Sequence, residues 1–193
     1  MKHARSVGGS RTTTAAFVDG VPVSVDEVDA REAQLRGSRL ASSLPRPGTS
    51  EGRQLRRWLT QLLVAERVVA GEAGARGLRA DDAPAEGDLL PDMAVRLEIG
   101  SVAASVLADP MARALFASLT ADVDVRDEDV ASYQDRNPSR FDSAAEVADH
   151  LRDAARRRAF RLWLDARCAQ LVALAPGYEH PGDPRQPDNI HRH

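Results

Sequence analysis

The chain has 193 residues, enough for one generous domain or two small ones. Apolar residues make up 42% and charged residues 28%, a globular composition, and the net charge of -3 gives no bulk attraction to nucleic acid or to an anionic membrane. The single cysteine, Cys168, excludes an intrachain disulfide, and no stretch reaches the ~18 apolar residues of a membrane span. The opening MKHARSVGGSRTTTAAF has no apolar run of signal-peptide length, so a cytoplasmic protein is expected.

Residues 1–13 are polar and rich in Gly, Ser and Thr, which predicts a loose end. Phe17 and Val18 lead into Asp19-Gly20, a strong turn dipeptide, and Val21 to Val23 return as a second short strand. Ser24 and Glu27 form an S-x-x-E capping box that opens a helix with Val25, Val28 and Leu35 on one side. SSLPRPGTSEG reads as a loop. A long helix is predicted from Glu51 to Arg76. Leu55, Trp58, Leu59, Leu62, Val69 and Ala73 recur there at helical spacing, and Gly77 stands at the C-terminal cap.

Residues 79–88 read as a polar, acidic loop. A further helix spans Pro91 to Leu107, with Gly100 as its weak point. Asp109-Pro110 supplies a cap and first position for MARALFASLT. A short helix is expected over Asp127 to Asp135, then a turn at Asn137-Pro138. Ser143 and Glu146 form a second S-x-x-E box and open a last helix to Leu174, with Val147, Leu151, Ala155, Phe160, Trp163, Leu164 and Leu171 as its apolar positions. The fold class is therefore mostly α with a short N-terminal β-hairpin. The helical domain spans 14–174, and an extended, Pro/His-rich tail occupies 175–193.

Three stretches carry a family resemblance. AFVDGVPVSVDEVDAR, RQLRRWLTQLLVAERVVAGEAGARGL and VDVRDEDVASYQDRNPSRF resemble, in this order, the opening strand-turn-helix, the long second helix and the N-P-x-x-F segment of the SurA, PrsA and parvulin-type chaperones. The last maps onto Val125, Asp127, Glu128, Val130, Tyr133, Asn137, Pro138 and Phe141. The resemblance implies a SurA-like helical cradle that holds extended peptides. Two departures stand out. Arg126 replaces a Thr or Ser cap, and the last helix follows Phe141 at once. An isomerase domain on the order of 100 residues has no room, so no prolyl isomerase activity is expected. The tail and size also resemble small actinobacterial proteins that accompany aromatic polyketide pathways, and the Arg-rich, Lys-poor composition looks like a high-GC genome. That likeness implies an aromatic small molecule as ligand, and an acyl carrier protein or partner enzyme as a second partner.

The candidate ligand-binding residues are Trp58, Trp163, Tyr133, Tyr178, His180, Asp183, Asp188 and His191. The two tryptophans and Tyr133 offer flat aromatic surface, although core packing explains them as well. The tail residues are competent metal donors, yet their spacing matches no standard zinc pattern, so no metal is assigned. Stiffened by Pro181, Pro184 and Pro187, the tail is expected to act as a lid, with Tyr178 and Ile190 as latches. Glu146 and His150, four apart on one helix face, are the candidate catalytic pair, a carboxylate orienting an imidazole base. Arg156, Arg157, Arg158 and Arg161 form a basic patch, either solvated or able to receive an acidic carrier protein or a phosphate. No cofactor is indicated and oligomerisation stays open. Three functions follow: a binding or tailoring protein for a polycyclic aromatic polyketide, a cytoplasmic peptide-binding chaperone, and a docking module.

Overall fold

The computed structural model describes residues 13–183. Their chain divides into two compact units, one drawn from 13–63 and 172–183, the other from 64–171. The predicted loose N-terminus falls almost wholly outside the described residues.

The first unit begins with strands β1 (Thr14–Val18) and β2 (Val21–Ser24), joined by Asp19 and Gly20 at φ 49° and 76°. Both central residues have positive φ, the geometry whose twist matches that of a hairpin. A bulge between Thr14 and Ala16 breaks the alternation, so Ala15 and Ala16 are both fully buried while Phe17 points outward. Ser24 then caps α1 (Val25–Arg36). Its hydroxyl accepts the Glu27 N–H at 3.2 Å, and the Glu27 carboxylate accepts the Ser24 N–H at 2.8 Å, closing the box expected from the sequence. Val28 of α1 packs on Ala15 and on Leu59, with Val25, Leu35, Leu55 and Trp58 around them.

The sheet departs from expectation. The last helix ends at Leu171 rather than Leu174, and Val172–Leu174 form β3, antiparallel to β1, giving the order β2-β1-β3. The hairpin is thus two-thirds of a three-stranded sheet. Val172 and Ala173 lie within a helix-compatible run, and only the free edge of β1, more than 150 residues earlier, decides for a strand.

Helix α2 (Ser50–Ala75) belongs to the first unit up to Leu63 and to the second from Val64. Gly77 ends it at φ 65°. The Leu78 N–H bonds the Ala73 carbonyl at 3.1 Å and the Gly77 N–H bonds Gly74 at 3.0 Å, a Schellman motif. The predicted loop at 79–88 holds a 3-10 turn at Ala80–Asp82 and the start of a short α3 (Glu86–Leu89). The helix expected from Pro91 to Leu107 breaks at Gly100, whose φ of 94° and ψ of 149° no helix contains. It becomes α4 (Met93–Ile99) and α5 (Ser101–Val106).

Asp109 caps α6 (Pro110–Leu119) by accepting the Met111 N–H at 2.7 Å. Helix α7 (Asp127–Arg136) starts with no side-chain cap, because Arg126 has no acceptor to give. Three acidic residues in its first turn face the positive end of the helix dipole instead, and Arg126 pairs with Asp129. Helix α8 (Ala144–Leu171) buries Val147, Phe160 and Leu164, and Phe160 meets Phe116 of α6 at 5.4 Å between ring centres. No helix among the described residues is long and apolar enough to cross a membrane.

Candidate functional site

In the first unit the residues from Ala175 to Tyr178 are built into the packing. Beyond β3, the Ala175 N–H bonds the Ala15 carbonyl at 2.9 Å, extending the ladder by one step. The backbone turns at Pro176-Gly177, with Gly177 at φ 92° and the Tyr178 N–H on the Ala175 carbonyl at 3.0 Å. This sets the Tyr178 ring against the cluster of Ala15, Val28 and Leu59, which Trp58 and Leu55 also touch. Trp58 itself is half-buried. Of the two residues expected as latches, Tyr178 packs on this cluster and Ile190 lies outside the described residues.

A charged network surrounds this contact. Arg56 reaches Asp29 at 2.6 Å and Glu32 at 2.8 Å, and its Nη2 lies 3.5 Å from the Tyr178 hydroxyl. Arg36 holds the other oxygen of Glu32 at 2.6 Å and donates to the Pro45 carbonyl at 2.9 Å. Glu32 is a nearly buried carboxylate. Burial alone pushes its pKa up, but the hydrogen bonds and charges of Arg36 and Arg56 outweigh that and hold it below the usual carboxylate range. Arg56 is likewise held charged, the bonds to Tyr178, Asp29 and Glu32 overcoming its burial. Sequence reasoning missed this network. The Glu32/Arg36 spacing is legible as an i, i+4 pair, but the link to Arg56, 24 residues away from Glu32, is purely tertiary.

His180 and Asp183 follow in a local turn. The Gly182 N–H bonds His180 Nδ1 at 3.0 Å and the Asp183 N–H bonds the His180 carbonyl at 2.9 Å. Asp188 and His191 lie outside the described residues. Among the described residues no three His, Cys, Asp or Glu side chains converge as a metal site would require.

The second unit holds the remaining candidates. Tyr133, Phe141 and His150 form an aromatic trio with centroid separations of 5.0–6.0 Å. Arg140 donates to the Tyr133 hydroxyl at 2.9 Å, and the same hydroxyl lies 3.4 Å from His150 Nε2, a contact whose donor is set by the imidazole tautomer. Glu146 does not orient His150. Its carboxylate accepts the Asp142 N–H at 3.1 Å, as the returning half of a shifted capping box, while Ser143 Oγ accepts the Glu146 N–H at 3.2 Å. The expected carboxylate–imidazole pair is thus replaced by a helix cap and a tyrosine–histidine contact. Trp163 stacks obliquely on Phe160 at 5.7 Å, in a different unit from Trp58.

The basic patch is not one solvated face. Arg157 is buried, Arg156 is half-buried, and Arg158 and Arg161 are exposed. Cys168 is half-buried. Burial, with the Asp165 charge adding, pushes its thiol up to about 11, far from a reactive nucleophile.

Comparison with known proteins touches only the start of this architecture. A family of unknown function (DUF7158) matches residues 14–51, which carry the hairpin, α1 and the connection to α2. No curated protein matches the chain, and no solved structure does.

Proposed function

We propose that this chain is a binding protein for a planar aromatic small molecule, of the polycyclic polyketide type, on a SurA-like helical scaffold that lacks a prolyl isomerase. The observation that carries this reading is the seat of Tyr178. The ring lies on the same apolar cluster that Trp58 touches, placed by a backbone turn and met by Arg56 at its hydroxyl. A half-buried indole beside the Tyr178 ring offers flat apolar surface to a ring system, with Arg56 nearby for a quinone or phenol oxygen. In this reading the residues after Leu174 close the site and the protein works in the cytoplasm.

The test is a fluorescence titration with a planar anthraquinone, using full-length protein, a 1–174 truncation, and the variants Trp58→Phe and Trp163→Phe. Saturable quenching that survives Trp163→Phe and is lost in Trp58→Phe and in the truncation supports the reading. Quenching carried by Trp163 alone, or none, overturns it.

A second reading has its own observation. Met93 and Leu97 of α4 are one turn apart and 68% and 74% exposed, an apolar pair that a peptide-binding protein would offer to an extended client. Suppression of client aggregation that is lost in Leu97→Ser and insensitive to Trp58→Phe would favour this chaperone-like function.

A further inference from the structure

Three large apolar side chains of the second unit stand in solvent: Met93 and Leu97 on α4, and Leu162 on α8, which is 51% exposed. They form two patches. Met93 and Leu97 are one turn apart with the exposed Ala94 beside them, so they share the outer face of α4, while Ile99 is buried on its inner face. Leu162 lies one turn from Arg158 and one turn from Ala166, and Ala169 continues the row. All four are exposed, and Phe160 and Leu164 take the opposite, buried face of α8.

The two patches are bordered by opposite charge. Asp92 and Glu98 bracket Met93 and Leu97 in the chain, and Asp88 precedes them in α3. All three are exposed. Asp92 accepts the Val95 N–H at 2.9 Å, but among the described residues none of the three pairs with a cation. Arg96, the one base of α4, is held by Glu86 at 2.7 Å. Around Leu162 the sign reverses. Between Asp153 and Asp165 the helix carries four arginines and no acid. The exposed two, Arg158 and Arg161, stand beside Leu162 and have no ion pair among the described residues, and Asp165, one turn beyond Arg161, does not bridge it.

We infer that these patches meet between two copies of this chain, the acidic α4 patch of one on the basic α8 patch of the other. Each supplies what the other lacks. Leu162 of one copy covers Met93 and Leu97 of the second, while Arg158 and Arg161 meet Asp92 and Glu98. A two-fold axis makes this contact twice and closes the assembly at a dimer. The apolar part is small, so the dimer is weak and charge carries much of its specificity. Met93 and Leu97 thereby gain a folded occupant in place of an extended client, and the dimer does not rest on the aromatic-ligand reading.

The test is sedimentation velocity of the full chain from micromolar to millimolar concentration, at low and at molar sodium chloride. Wild type should pass from monomer to dimer as concentration rises, with the dimer weakened about tenfold in high salt. Leu97→Ser and Leu162→Ser, both at exposed positions compatible with folding, should each weaken it about tenfold or more. Glu98→Arg and Arg158→Glu should each weaken it as well, and the chain carrying both substitutions should dimerise again, because the charges are exchanged across the same contact. A wild type that stays monomeric at every concentration overturns the dimer. So does a dimer that Leu162→Ser leaves unchanged, which would seat the α4 patch elsewhere, or a double charge exchange that restores nothing.

Discussion

Glu32 shows how one side chain can carry more than its own position. It sits one turn beyond Val28 on the buried face of α1, where an apolar residue would be expected, and it is tolerated because two arginines hold its two oxygens. Glu32→Gln keeps the shape and removes the charge. It should cost about 1–3 kcal/mol at pH 7, readable from urea unfolding. The pH dependence has a fixed sign. The folded pKa of Glu32 lies below the unfolded value of about 4.3, so its contribution is full above that value and fades as pH falls through the folded pKa. The stability gap between wild type and Glu32→Gln should therefore narrow below about pH 4. A gap that is constant from pH 7 to 3 would mean the charge contributes nothing. Cys168 gives a second residue-scale prediction. With its thiol pushed up to about 11, the native protein should react with a disulfide reagent at pH 8 at least tenfold slower than the urea-unfolded chain. Equal rates would place Cys168 in solvent.

At the scale of elements, caps and breaks follow local chemistry closely. Ser24/Glu27 and Asp109-Pro110 act where their side chains can reach orphan N–H groups, so both were legible from four residues of sequence. The break at Gly100 was legible only as a weakness. Apolar periodicity runs through it, and the backbone there takes a conformation nearly closed to any residue with a Cβ. Gly100→Ala should destabilise by about 1–3 kcal/mol although a Cβ there would meet no atom within 4 Å. Gly74→Ala, in α2 and equally uncrowded, should instead stabilise by about 0.5–1 kcal/mol. Opposite signs in thermal or denaturant unfolding separate backbone strain from packing. Equal signs would show that the two glycines serve the same role.

Across the whole molecule, the decisive event is the return of residues 172–174 to β1. It places β3 and the turn to Tyr178 in the first unit, although α8, which precedes them, belongs to the second. A chain ending at Leu171 loses these ladder bonds and one ending at Leu174 keeps them. At about 1 kcal/mol per bond the shorter chain should be less stable by roughly 2 kcal/mol, or about 4–8 °C in Tm for a chain of this size. Identical melting of the two truncations would show that β3 adds no stability.

The sequence by itself determined what is written over a few residues: the hairpin turn at Asp19-Gly20, the helix starts at Val25 and Pro110, the cap at Gly77, and the apolar stripe through Leu59, Leu62, Val69 and Ala73. These depend on backbone sterics, capping and periodicity, which act within one or two turns. Tertiary structure alone decided the rest. It made a strand of Val172–Leu174, joined Arg56 to Glu32, turned Glu146 to a backbone N–H rather than to His150, and enclosed Arg157 on a face that its neighbours Arg158 and Arg161 do not share. Each of these turns on a partner distant in the chain, on which of several acceptors lies within about 3 Å, or on how packing divides one helix between core and solvent. Composition and spacing along the chain do not encode those distances.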